Sequence, residues 1–220
     1  MRPLRLLFIS GALRRRGSTE GVIEHGRRHL AARFPEVEAD VVHLCERRVE
    51  LCDSCYTCEE TRRCWVPDDV GDVVDRMRRA HGIVYALPVH AFGVNSLSQA
   101  FLERAGVGYL RFARPLENKV AGIIITGRRY CHEPTWAQVA LNVMLNRMIL
   151  VGSGFPAVVK NDGKSLGDRI EDAEGLASVE DMLTKMVWFL RQRGEGRPGP
   201  WPRAELPDVP LNLVTRRAKP

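Results

Sequence analysis

Short apolar runs recur along this chain, each followed by a longer amphipathic stretch, and that alternation leaves few folds open. Leu4–Ile9, Glu38–Leu44, Ile83–Leu87, Val120–Thr126 and Phe155–Val159 read as strands. Helical patterns fill Gly17–Phe34, Pro67–Ala80, the stretch from Asn95 or Ser96 to Arg104, and Thr135–Val151. A last helix is expected from Ser178, with Asp181 as its capping-box-like partner, to about Arg193. Pro67-Asp68-Asp69 places carboxylates at the positive end of its helix, and Pro88 is expected to cut the third strand short. Runs this apolar are buried on both faces, so the strands form a parallel sheet covered by helices on each side. Right-handed crossovers then make a doubly wound five-stranded α/β sheet the simplest arrangement. Ligands of such sheets bind outside the carboxyl ends of the strands, so the loops after strands one, three and four are the places to search.

With 220 residues and 45% hydrophobic content, the chain can build one substantial core. Its 33 Lys and Arg against 27 Asp and Glu give a net charge of +6. The arginines come as scattered doublets among acidic residues, which reads as solvated faces rather than a nucleic-acid track. No apolar run approaches the roughly 20 residues that span a bilayer. Met1–Leu13 is interrupted by Arg5 and lacks a small-residue cleavage site, so it reads as a buried first strand and not a signal peptide. A cytoplasmic protein is expected, with reduced thiols, and six cysteines then suggest metal or redox chemistry before disulfides.

After Gly194 the composition changes. Prolines crowd into 198–220, yet Trp201, Leu206, Val209, Leu211, Leu213 and Val214 are apolar. The expected organisation is one domain over 1–193, with a cysteine-rich loop at 51–65, and an extended arm over 194–220 packed on the body or on a second subunit.

The loop after strand one runs from Ser10 to Thr19. Gly11 and Gly17 permit tight turns, Ser10, Ser18 and Thr19 offer hydroxyls, and Arg14 offers a charged fork at a helix N-terminus. Such a loop suits a phosphate, and equally a plain strand-to-helix turn. The loop after strand three, Pro88-Val89-His90-Ala91-Phe92-Gly93, suits a flat heteroaromatic ring or a buried connector. Thr126 and Gly127 open the loop after strand four and can line the same mouth, while His132 and Glu133 either contact a substrate or decorate the surface.

Cys52, Cys55, Cys58 and Cys64 form the sharpest pattern, C-x2-C-x2-C-x5-C. Overlapping x2 spacings bring sulfurs to the corners of a [4Fe–4S] core, whereas zinc sites more often use two separated knuckles. Cluster, zinc and empty thiols all remain open on spacing alone. Cys45 lies outside the pattern and reads as a small buried residue; Cys131 is isolated.

In their order, these motifs resemble the flavodoxin-like NAD(P)H-dependent FMN reductases, and within them the iron–sulfur flavoproteins. The first loop resembles G-S-x-R-x-x-G-x-T at Gly11, Arg14, Gly17 and Thr19, with Ala12 in place of serine. The third loop resembles P-V-Y-A-F-G-V, with His90 in place of tyrosine, and Ala100-Phe101-Leu102-Glu103-Arg104 resembles A-F-L-D-R. The loop after strand four, Arg128 to Glu133, departs from the family's glycine-rich stretch.

The resemblance implies strand order 2-1-3-4-5 and FMN held by Ser10, Ala12, Arg14, Ser18, Thr19, Pro88, Val89, His90, Ala91, Phe92, Gly93, Thr126 and Gly127. It implies a [4Fe–4S] cluster on the four spaced cysteines, NAD(P)H or a ferredoxin-type protein as donor, and a homodimer or homotetramer. The acceptor is a redox partner or small molecule, with no nucleic acid and no membrane involved. His90 is the candidate proton donor or hydrogen-bond partner at the flavin ring. The rival readings are a cluster-free FMN or quinone reductase, a non-catalytic electron carrier and a zinc-stabilised interaction module.

Overall fold

Apolar residues dominate the central strands, interrupted near the start of the first by the exposed Arg5. In the computed structural model, which describes residues 3–61, 64–107, 114–161 and 170–194, these strands are β1 (Leu4–Ser10), β3 (Gly82–His90) and β5 (Val120–Gly127). β2 (Val37–His43) lies on the outer side of β1, and its alternating burial fits an edge position. The sheet order is β2-β1-β3-β5, and these pairings are all parallel. The position beyond β5 is shared. β6 (Ile149–Leu150) pairs the start of β5 and β7 (Ala157–Lys160) pairs its end, both in parallel. The expected order therefore holds in its five positions, with the fifth split between two short strands and β4 (Gly93–Val94) added as an antiparallel return on β3.

Two apolar layers flank the sheet. On one face α1 (Ser18–Arg33) and α6 (Ala173–Gln192) cover Leu6, Phe8, Val84 and Ile124. On the other, α3 (Val70–Arg79), α4 (Ser96–Leu102) and α5 (His132–Leu145) cover Ile9, Ile83, Tyr85 and Ile123. A five-residue helix, α2 (Thr57–Thr61), sits within the cysteine-rich segment. Gly122 in β5 leaves room for the ends of two α6 methionines: a Cβ there would stand 2.7 Å from Met186 Sδ and 2.9 Å from Met182 Sδ. Gly122→Val is expected to overpack this layer and lower stability by about 1–3 kcal/mol, read as a lower urea midpoint.

Several boundaries differ from the sequence expectation. β3 does not stop at Pro88 but continues to His90, pairing Pro88 with Thr126. β1 pairs β3 only as far as Ala86, so Pro88 has a single strand neighbour and its missing N–H breaks no bond on the β1 side. α5 starts at His132 rather than Thr135 and ends at Leu145 rather than Val151. Arg147, at φ 53°, turns the chain out of the helix so that Ile149 can pair Val120. α6 starts at Ala173, ahead of Ser178, because Asp172 caps it: its carboxylate accepts the Gly175 N–H at 2.9 Å and the Lys160 N–H at 2.7 Å. Asn95 is the cap of α4, accepting the Ser98 N–H at 2.7 Å. The proline-rich arm lies outside the described residues.

Candidate functional site

β1, β3 and β5 end side by side, and their carboxyl ends open onto a cavity of about 400 Å³. That volume lies within the range of small-molecule and cofactor sites. Ala12, Leu13, Arg14, Gly17, Ser18 and Thr19 line it from the first loop, Pro88, Val89 and His90 from β3, Thr126 and Gly127 from the end of β5, and Arg128 just after it. Asn161, just past β7, completes the wall.

The first loop is pinned from behind. Gly11 donates its N–H to Ala86 O at 2.9 Å and accepts Asn95 Nδ2 at 2.6 Å. A Cβ on Gly11 would lie 2.1 Å from Ser98 Oγ, so only glycine fits. The N-terminal end of α1 has no side-chain cap, which leaves its first-turn N–H groups for a ligand anion. Thr19 Oγ1 and Thr126 Oγ1 share a hydrogen bond of 2.7 Å, tying the start of α1 to the end of β5. Asn161 Nδ2 donates to Ser18 Oγ at 2.7 Å, and the Asn161 N–H donates to Gly127 O at 2.9 Å.

Of the residues expected from sequence, Ser10, Ala91, Phe92 and Gly93 are not in this wall. Ser10 Oγ donates to Glu20 Oε1 at 2.5 Å, and Glu20 also meets His43 Nδ1 at 3.2 Å, so the Ser10 hydroxyl supports the loop from within. Ala91 and Phe92 form the tip of the β3–β4 hairpin, with φ of 46° and 68°, as a two-residue turn of primed type requires. Because β3 runs on to His90, this tip projects past the cavity, and Phe92 is 73% exposed. Leu13, Gly17, Arg128 and Asn161 line the cavity in addition. Gly17 and Arg128 lie inside the segments singled out from sequence, whereas Asn161 follows a short strand and carries no motif. His132 is buried, its Nε2 has no partner among the described residues, and it fills the space beside Gly127.

A second hollow gathers Cys52, Cys55, Cys58 and Cys64 with Asp53, Tyr56, Trp65, Val66 and Arg104. All six cysteines of the chain are free thiols. Ser54 and Tyr56, on either side of Cys55, have φ of 55° and 57°, a conformation uncommon for such residues. Burial, and then the neighbouring Cys64, Cys55 and Cys52, push the Cys58 thiol above its ordinary pKa. Cys45 lies outside this hollow and is half-buried rather than the buried residue expected from sequence; burial raises its pKa as well. Among the described residues no group of three or more His, Cys, Asp or Glu side chains is arranged to close on a metal ion.

Arg104 closes the floor of this hollow. It is 2% exposed and forms a buried ion pair with Asp68, which is 1% exposed. Its Nη2 donates to Asp68 Oδ1 at 3.0 Å and to Cys64 Sγ at 3.3 Å, and its Nη1 donates to Asp68 Oδ2 and to Glu50 O. Asp68 also accepts the N–H groups of Glu50 at 2.8 Å and Val70 at 3.2 Å. Burial works against the Asp68 charge, but these hydrogen bonds outweigh it and hold the carboxyl below its ordinary pKa.

The family profile described as NADPH-dependent FMN reductase matches residues 4–162, which takes in every segment that lines the cavity and all four spaced cysteines. The chain belongs to the NADPH-dependent FMN reductase family. Within that family's reach, it is 27% identical over 193 residues to an iron-sulfur flavoprotein of Methanocaldococcus jannaschii, covering 86% of this chain and 98% of the relative. An iron-sulfur flavoprotein of Methanosarcina thermophila is 27% identical over 191 residues, covering 85% and 95%. Among solved structures, RosB with bound 8-demethyl-8-formylriboflavin-5'-phosphate superposes with a TM-score of 0.61 at 17% identity, over 98% of this chain and 96% of that one. The fold is thus flavodoxin-like, and family membership makes the chain an FMN-dependent oxidoreductase. No helix among the described residues is long and apolar enough to cross a membrane.

Proposed function

We propose that this FMN-dependent oxidoreductase holds FMN in the loop cavity and a [4Fe–4S] cluster on Cys52, Cys55, Cys58 and Cys64. Electrons pass from a reduced donor, NAD(P)H or ferredoxin-type, to an acceptor. The observation that carries this reading is the second hollow: four free thiols, separated in sequence by the spacing of cluster ligands, line one space beside a buried guanidinium. The likeness to two iron-sulfur flavoproteins supports it.

The donor types present suit both groups, although no three of them close on a single metal ion among the described residues. The uncapped end of α1, Arg14 and the Ser18 hydroxyl offer charge and N–H donors to a phosphate dianion. Pro88, Val89, Thr126 and Gly127 offer a mostly apolar wall for a flat ring, and His90 stands at its outer rim, exposed. The cysteine hollow offers thiolate sulfurs, the donors iron–sulfur clusters take, together with N–H groups directed at two of them. FMN takes electrons in pairs or singly and a cluster passes them one at a time, so the two together connect a two-electron donor to one-electron partners. The protein contributes binding, orientation and the setting of potentials. On the same reading residues 1–193 are one FMN-binding unit assembled as a homodimer or homotetramer. The exposed apolar side chains Leu141 and Met144 on α5 support that assembly.

Anaerobic titration of the purified protein with NADPH, followed by absorption, tests the route. Loss of the flavin bands followed by loss of the broad cluster absorption is expected. Flavin bleaching with no cluster absorption at any stage would leave a cluster-free reductase. His90→Phe is expected to lower the flavin midpoint potential while FMN stays bound, because a polar, chargeable ring at the rim favours the more negative reduced flavin. A wild-type midpoint measured by spectroelectrochemistry would make His90 a space-filling residue.

A further inference from the structure

We propose that Arg104 and Trp65 set the reduction potential of the cluster by donating N–H hydrogen bonds to the sulfurs of Cys64 and Cys55; this rests on the cluster reading above. Two of the four sulfurs already accept such bonds. Arg104 Nη2 reaches Cys64 Sγ at 3.3 Å, and Trp65 Nε1 reaches Cys55 Sγ at 3.1 Å. The donors come from different parts of the fold. Trp65 follows directly on the last cysteine of the motif, whereas Arg104 lies forty residues further along, on a single π-helical turn, Glu103–Val107, that extends α4. Turns of this kind are rare and cluster at functional sites.

The guanidinium is fixed far more firmly than packing alone requires. Asp68 grips both of its terminal nitrogens, Glu50 O accepts a further bond, and Asp68 is itself held by two backbone N–H groups. A planar fork can bind a carboxylate along one edge and still present an N–H to sulfur, which a lysine ammonium on a flexible stem does not reproduce. Asp68 offsets most of the positive charge, so what reaches Cys64 is chiefly a directed N–H dipole. Removing electron density from a ligating sulfur stabilises the more negative, reduced state, and hydrogen bonds to the sulfurs are among the terms that set cluster potentials. The indole N–H acts at Cys55 in the same sense, from a side chain that is 58% exposed and therefore contributes little to the core.

The test is an anaerobic redox titration of the full chain followed by electron paramagnetic resonance, with Trp65→Phe and Arg104→Lys compared to wild type. Trp65→Phe removes the N–H without changing charge, at an exposed position where folding is not at stake. Arg104→Lys keeps the charge opposite Asp68 and loses the fork. Both are expected to lower the cluster midpoint, with the reduced-to-oxidised ratio at a fixed potential falling by about tenfold for each bond lost, or 59 mV for a one-electron couple. The flavin midpoint should stay at its wild-type value. A bound cluster whose midpoint is unchanged in both variants overturns the inference and leaves the cluster reading standing. Wild-type protein that binds no cluster under anaerobic reconstitution overturns both.

Discussion

Asp68→Ala is expected to destabilise the protein by about 3–5 kcal/mol, because removing one partner leaves the other buried and unpaired. The Arg104 guanidinium would lose the carboxylate it grips in a site where it is 2% exposed. The N–H groups of Glu50 and Val70 would also lose their acceptor. The loss should be seen as a lower urea midpoint at pH 7. Its pH dependence has a definite sign. The Asp68 carboxyl is held below its ordinary value, so its contribution is complete above the unfolded value, about 3.9, and is lost as pH falls through the lower folded value. The gap between wild type and variant should therefore be full at neutral pH and narrow only in acid below pH about 4. A gap that closes between pH 5 and 7 would contradict the assignment. Because Asp68 also anchors Arg104 beneath Cys64, the same variant should retain iron poorly.

Arg14→Ala combined with Thr19→Ala is expected to weaken FMN binding by a few kcal/mol, with charge-assisted hydrogen bonds each contributing roughly 1.5–3. The two act differently. Arg14 offers a fork to the phosphate from the exposed rim, so its share should shrink as salt rises. Thr19 is buried and bonded to Thr126, so its loss frees the start of α1 from the end of β5 and blurs the positions of the N–H groups that a phosphate needs. Titration of apoprotein with FMN by fluorescence quenching measures both shares. An unchanged dissociation constant in the double variant would move the phosphate away from this loop.

The sheet was legible because its strands are apolar runs with no competing pattern, and parallel pairing follows from burial on both faces. Pro88 misled in one respect. Proline ends a strand where the neighbour that its N–H would face still runs alongside, and here β1 has already stopped at Ser10, opposite Ala86. Asp172 was equally hidden: an aspartate alone does not announce a cap, and Ser178 with Asp181 carried a more familiar spacing while lying inside α6. For the cavity, the loops after β1, β3 and β5 were visible because residue types and chain direction agree there. Asn161 was not, since its place in the wall depends on β7 lying beside β5, a long-range pairing. In the sequence Arg104 is visible only as the last residue of the Ala100–Arg104 motif. Its partners Asp68 and Cys64 lie about forty residues away, and nothing local marks an arginine as buried.

Whether one chain carries both FMN and a cluster is decided directly by its cofactor content. Protein purified anaerobically should contain one FMN per chain and, for a [4Fe–4S] site, about four iron and four acid-labile sulfide. Flavin with stoichiometric zinc and no sulfide, or flavin with no metal, would contradict the proposed pair of cofactors.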